Sequence, residues 1–197
     1  PESASQLFDE TFSTWQAPGQ TTQKELPEFT PPDQAQYEHI AIPGKSQSDL
    51  IIGTQAPAPM TPAYQNCVLG NSILGQFGMM GRIGEVVREQ NGLAYYAGST
   101  LETGLGPTCW KVYAGVNPDN LEKAIEKIKE ELRRFTNEAV TSEELADVRS
   151  QALGRLPLSF ETNAGIVRYL LSLERYQLDL DYLKTLPELL AGISAED

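Results

Sequence analysis

Arg88 and Tyr95 are the two side chains whose type and spacing could do chemistry together. They lie in Glu85-Val86-Val87-Arg88-Glu89-Gln90-Asn91-Gly92-Leu93-Ala94-Tyr95-Tyr96. Glu85 to Gln90 holds no helix breaker, Asn91-Gly92 is a left-handed helix exit, and Leu93 to Thr100 has strand character. The spacing predicts Arg88 in a last helical turn and Tyr95 early in a strand, so a guanidinium fork and a phenolic hydroxyl flank one junction. By residue type alone each has an ordinary reading as well. Arg88 can be a solvated cation at the carbonyl end of its helix, and Tyr95 a half-buried strand aromatic. Strand alternation sends Tyr96 to the opposite face, so only one of the two tyrosines can serve beside Arg88.

Other chemistry is sparse. The chain has one histidine, His39, flanked by Glu38 and Ile40 in a strand-like stretch, where a surface or hairpin histidine accounts for it. A Ser-His-Asp triad would have to use it, and no nucleophile motif accompanies it. Cys67 beside Val68 and Leu69, and Cys109 beside Trp110, match neither a metal spacing nor a disulfide framework and read as buried thiols. Gly75-Gln76-Phe77-Gly78-Met79-Met80-Gly81 follows a helix, not a strand, and lacks a Walker lysine, which disfavours a phosphate loop. It reads as a flexible entry to the next helix.

The elements that must position Arg88 and Tyr95 follow from patterning. Ala4 to Trp15 places Leu7, Phe8, Thr11, Phe12 and Trp15 on one helical face with Ser3 as cap. Pro18, Pro27, Pro31 and Pro32 then mark residues 17–36 as a linker. Tyr37 to Ile42 and Ser48 to Gln55 predict an antiparallel hairpin across Pro43-Gly44-Lys45-Ser46. A helix over Ala63 to Leu74 and another over Ile83 to Gln90 follow. Leu93 to Thr100 and Thr108 to Gly115 predict a second strand pair across Gly104-Leu105-Gly106-Pro107. Asn117 with Pro118 opens a long helix with Leu121, Ile125, Ile128, Leu132 and Phe135 along one face. Thr141 with Glu144 forms a capping-box pattern for a helix through Leu153. Leu158 to Leu173 is expected to be helical after Pro157, and a last helix spans about Leu180 to Ala191. Strand pairs alternating with helix pairs predict an α+β two-layer sandwich: a mainly antiparallel sheet with helices on one face.

This order of segments resembles the non-catalytic, C-terminal half of the insulinase and pitrilysin family of zinc peptidases, which includes the mitochondrial processing peptidases. Besides the Arg88 and Tyr95 junction, Gln47-Ser48-Asp49-Leu50-Ile51-Ile52-Gly53 is similar to the family's strand before its first helix. Asn66 to Gly75 resembles that helix, and Gly81-Arg82-Ile83 the Ser-Arg-Leu start of the next, with Gly81 in place of Ser. Tyr113 to Leu121 and Val140 to Leu145 fit as well. The resemblance implies that 1–16 is the last helix of a preceding half, 17–36 the connection, and 37–197 an inactive peptidase-like domain, incomplete at its C-terminus, with a further helix and closing strand to follow. A sheet edge left open there would favour a homodimer.

The resemblance further implies that Arg88 and Tyr95 reach across a cavity to a zinc site carried by an H-x-x-E-H half, in the same protein or in a separate subunit. There Arg88 would offer forked donors to backbone carbonyls of a peptide substrate. The Tyr95 hydroxyl would donate to the scissile carbonyl as it becomes an oxyanion. No cofactor is expected in this chain, whose single histidine cannot assemble the zinc site, so the chain alone should not hydrolyse peptides. The alternative on the same fold is a catalytically inactive structural or assembly subunit.

With 15 Lys and Arg against 27 Asp and Glu, the formal charge of −12 repels nucleic-acid phosphates and anionic membranes and favours basic peptides, although acidity also serves solubility alone. No apolar run is long enough to span a bilayer. The start at Pro1 without methionine reads as a processed or partial chain, so the missing leader carries no information. Both the cell envelope and the cytoplasm of a bacterium stay open.

Overall fold

The computed structural model describes residues 2–15 and 30–197. The chain runs α1 (Glu2–Phe12), β1 (Ser48–Ala56), α2 (Pro62–Gly75), α3 (Phe77–Gly84), a π-helical segment (Glu85–Gln90), β2 (Ala94–Leu101) and β3 (Thr108–Val116). A 3-10 turn (Pro118–Asn120) then leads into α4 (Leu121–Asn137), α5 (Ser142–Ser159), α6 (Asn163–Tyr176) and α7 (Tyr182–Gly192). The α+β fold expected from patterning is present: a three-stranded antiparallel sheet in the order β1-β3-β2, with helices against one face.

β3 is central because it is the strand with the longest inward apolar run. Val112, Ala114 and Val116 are buried, flanked by Leu50 and Ile52 of β1 and Ala97 of β2. Against them pack Leu74 of α2, Ile83 of α3, Val87 of the π-helical segment, and Ala124 and Ile128 of α4. Fully burying each of the Val, Leu and Ile side chains contributes about 1.5–3 kcal/mol, and each alanine methyl less. A second cluster joins the helices to one another through Leu69, Ile73, Leu145, Val148, Leu190 and Ile193. Asn71, Ser99 and Glu131 are polar residues buried inside, and Asn71 joins layers. Its Oδ1 accepts from the Ser99 hydroxyl at 2.6 Å and from Trp110 Nε1 at 2.8 Å, so α2 is tied to both β2 and β3.

Several expectations need correction. Tyr37–Ile42 is not a strand, and β1 pairs with β3, not with a preceding arm. The turn after it does form, with Gly44 at φ 82° and Lys45 N donating to Ile42 O. Alternation alone could not reveal that the inward residues of β1 find a more apolar partner in β3. Ser3 lies inside α1, which starts at Glu2, instead of capping it. The linker predicted over 17–36 falls largely outside the described residues, and 30–36 carry no helix or strand. Past Pro157, α5 continues to Ser159. The chain breaks at Phe160–Thr162, and the Thr162 hydroxyl caps α6 by accepting from Gly165 N at 3.0 Å. A proline in the last turn of a helix forfeits one hydrogen bond without stopping it.

The glycine-rich stretch is not slack. Residues 78–81 leave helical geometry, with Gly78, Met80 and Gly81 at positive φ, and they fold back against α2. A Cβ on Gly81 would stand 2.5 Å from Gly75 N, and one on Gly75 would stand 2.1 Å from Ser99 Oγ. Close approach of backbone to backbone, which only glycine permits, brings α2 and α3 onto β2.

Candidate functional site

The junction predicted to carry chemistry is built by buried residues that alternate with its exposed ones. Val87 and Leu93 are both buried in the main core, and Leu93 N donates to Val87 O at 2.9 Å across the turn. Gly92 takes φ 58°, the left-handed exit that Asn91-Gly92 announces, and its N–H closes on Arg88 O at 2.9 Å. Asn91 Nδ2 donates to Val86 O at 2.7 Å. Where sequence pattern suggests an α-helix, Glu85–Gln90 is π-helical. Such a segment adds a residue to the turn and re-aims the side chains after it. Periodicity holds no signal for it.

Arg88 stands on this segment, half-exposed, with Nε 3.4 Å from Glu89 Oε1 as its ion pair. At that exposure the pair is weak, and it leaves most of the guanidinium's donors free. Tyr95 is 81% exposed and has no hydrogen bond among the described residues. No hydrogen bond or ion pair joins Arg88 to Tyr95 among those residues. What they share is the pinned junction and freedom to reach outward.

Tyr95 owes its exposure to a break in register. Ala94 pairs with Val116 and Tyr96 with Gly115, so Tyr95 is an extra residue in β2, a β-bulge. The strict alternation expected for Tyr95 and Tyr96 therefore fails. Their rings stand edge to face, with centroids 6.4 Å apart, too close for side chains on opposite faces. The two differ in another way: the Tyr96 hydroxyl is already committed, donating to Asp49 Oδ1 at 2.7 Å.

Arg82, quoted above only as part of a motif, is the most heavily engaged cation. Its Nε and a terminal nitrogen donate to the two carboxylate oxygens of Glu144 at 2.6 and 2.7 Å. Another terminal nitrogen lies 4.0 Å from Glu131 Oε1, and the guanidinium sits 5.6 Å from the centre of the Phe135 ring. Arg82 thus ties the end of α3, which runs directly into the segment bearing Arg88, to α4 and α5. The Arg82 fork, together with donation from Thr141, pulls the Glu144 carboxyl down to about 2. The Thr141 and Glu144 capping box is present as expected. Its long-range partner could not be read from local sequence.

Among the described residues no group of three His, Cys, Asp or Glu side chains converges to hold a metal, and His39 is exposed. Cys67 is half-buried, and burial pushes its thiol up; Cys109 is exposed, contrary to the buried thiol expected. A cleft of about 880 Å³ opens on the helix side between Leu69, Asn71, Trp110, Leu132, Phe135 and Ile193. Neither Arg88 nor Tyr95 lines it.

Comparison with known proteins agrees with this architecture. The sequence is 29% identical over 194 residues to an uncharacterized zinc protease, YmxG, of Bacillus subtilis (strain 168), covering 93% of this chain and 43% of the relative. It is 28% identical over 142 residues to an uncharacterized zinc protease of Rickettsia bellii (strain RML369-C), covering 71% of this chain and 34% of that one. The chain thus spans less than half the length of these relatives. The crystal structure of a peptidase M16 inactive domain from Pseudomonas fluorescens superposes with a TM-score of 0.70 at 25% identity, over 77% of this chain and 36% of the other. No helix among the described residues is long and apolar enough to cross a membrane. The family description Peptidase M16 inactive domain matches residues 1–152, more than half of the sequence, and the chain belongs to that family.

Proposed function

We propose that this domain is the substrate-clamping, non-catalytic wall of a zinc-dependent metalloendopeptidase, and that Arg88 and Tyr95 are its contribution to a zinc site carried by an H-x-x-E-H half. The observation that carries the reading is the junction itself. Buried Val87 and Leu93 fix the backbone, while the Tyr95 hydroxyl and most Arg88 donors stay unspent. Donors left free on a rigid support are what transition-state stabilisation requires. The relatives named as zinc proteases support a catalytic partner half.

Among the described residues no side chains converge to fit a zinc site, and the chain has a single histidine, which supports a metal held by the partner half, where it would polarise the scissile carbonyl and activate water. Against that carbonyl the Tyr95 hydroxyl donates a hydrogen bond that strengthens as negative charge grows on oxygen. Arg88 presents parallel N–H donors to backbone carbonyls of an extended peptide and holds it in register. The excess of acidic residues favours basic peptides on approach.

The test uses the complete peptidase, or this chain reconstituted with its catalytic half. Tyr95→Phe should lower kcat by about a hundred- to a thousandfold, as loss of an oxyanion donor does. Arg88→Ala should act mainly on KM. Neither should shift the Tm, since neither side chain is in the core. Full activity in both variants would overturn the proposal and favour a structural or assembly role. Thermal collapse of either variant would do the same.

A further inference from the structure

We propose that Tyr96, Asp49 and Gly115 form a cross-strand latch that fixes the direction of Tyr95, with Tyr96 and Asp49 as positioning residues for the chemistry of its neighbour. The inference rests on the role proposed above for Tyr95.

A β-bulge solves one problem for Tyr95 and creates another. The extra residue throws the side chain outward, but it also removes the ladder partner that would hold it. Among the described residues no hydrogen bond restrains the Tyr95 ring. The Tyr96 ring stands edge to face with it, at 6.4 Å between centroids and 80° between planes. Tyr96 is in turn held from three sides. Its hydroxyl donates to Asp49 Oδ1 at 2.7 Å, its ring lies 6.1 Å from that of Tyr113, and it covers Gly115.

The register explains how a side chain of β2 reaches β1 across the strand between them. Tyr96 and Asp49 both pair with Gly115, so the three residues form one row across the sheet. The central member has no side chain. A Cβ at 115 would stand 2.5 Å from Tyr96 Cε1 and 2.6 Å from Gln47 Nε2, which closes the path. Asp49 is itself oriented, accepting from Gln47 Nε2 at 2.8 Å and from Lys45 Nζ at 3.4 Å. The hydrogen bond from Tyr96, followed by that from Gln47, holds the Asp49 carboxyl below its usual range, and the same bond raises the Tyr96 hydroxyl. Donor and acceptor stay neutral and charged, respectively, through the neutral range.

The row is open to solvent, so its contribution to stability is small and its role is directional. A reacting group displaced by 1 Å loses about a hundredfold in rate. Partial release of Tyr95 should therefore cost about three- to thirtyfold in kcat, with KM little changed.

A double-mutant cycle on the complete peptidase tests the latch. Tyr96→Phe should lower kcat within that range, Asp49→Asn should retain most activity because its amide oxygen still accepts, and Asp49→Ala should not. In the Tyr95→Phe background, Tyr96→Phe should have no further effect. Additive losses would mean that Tyr96 acts independently of Tyr95 and would overturn the latch. So would unchanged kcat in Tyr96→Phe alongside a large loss in Tyr95→Phe. If Tyr95→Phe is itself silent, the proposed function falls, and the latch is judged by fluorine NMR of this chain labelled at its tyrosines. Tyr96→Phe must then broaden or shift the Tyr95 resonance. An unchanged resonance would refute the latch by itself.

Discussion

Substituting Glu144 by Gln separates the ion pair from the helix cap, because glutamine also serves at that position of a capping box. The Thr141 backbone N–H and hydroxyl, at 2.8 and 2.9 Å from Glu144 Oε2, keep an acceptor. What disappears is the charge facing Arg82. A carboxyl lowered from 4.5 to about 2 corresponds to about 3 kcal/mol of stability at neutral pH before screening. With 30% of the Glu144 side chain in solvent, screening brings this to about 1.5–2.5 kcal/mol. Arg82 is only 14% exposed and would keep Glu131 at 4.0 Å as its nearest carboxylate, a poor replacement, which places the loss toward the upper end.

The sign follows from the depressed carboxyl. Its stabilisation is fully present above the unfolded value of 4.5 and is lost as pH falls through about 2. Urea unfolding of the wild-type chain and Glu144→Gln should therefore show a gap at pH 7 that shrinks to roughly half or less by pH 3. A gap that stays constant across that range would show that Glu144 acts through the cap or through packing. Absence of any gap at pH 7 would refute the ion pair as a stabilising contact.

Two further outcomes are expected. Gly75→Ala should destabilise the fold by more than about 3 kcal/mol, since the new methyl would meet Ser99 Oγ at 2.1 Å and Ser99 N at 2.2 Å with β2 backbone behind them; urea unfolding reads it, and a loss under 1 kcal/mol would count against the close helix-strand approach. Purified chain should carry no stoichiometric zinc by elemental analysis, because one histidine and, among the described residues, no converging carboxylates leave the ion without its ligands; one tightly held zinc per chain would contradict this.

What could be read from residue order was local. Asn91-Gly92 announces its own left-handed turn, and Thr141 with Glu144 its own cap, because both signals reside within a few residues of the geometry they specify. The junction bearing Arg88 and Tyr95 was legible for the same reason. Three features were not. The partner of β1 depends on which distant strand buries Leu50 and Ile52 best, and Tyr37–Ile42 carries an equally plausible alternation. The bulge at Tyr95 depends on register against β3. The π-helical segment under Arg88 has Val87 packed into the core formed by the sheet and α4. Each is decided by a surface supplied from elsewhere in the chain.

Arg82 and Arg88 stand on adjoining helical segments, yet one is consumed by Glu144, Glu131 and Phe135 while the other retains most of its donors. Loss of activity in an Arg82 variant would report a displaced support; loss in an Arg88 variant would report lost contact with a ligand. The same contrast separates Tyr96, bonded to Asp49, from Tyr95, which is exposed and has no hydrogen bond among the described residues. In both pairs the engaged residue lies beside the free one. Stability measured alongside kinetics therefore distinguishes support from contact: an Arg82 variant should lose stability and activity together, whereas Arg88→Ala should raise KM and Tyr95→Phe should lower kcat, each with stability retained.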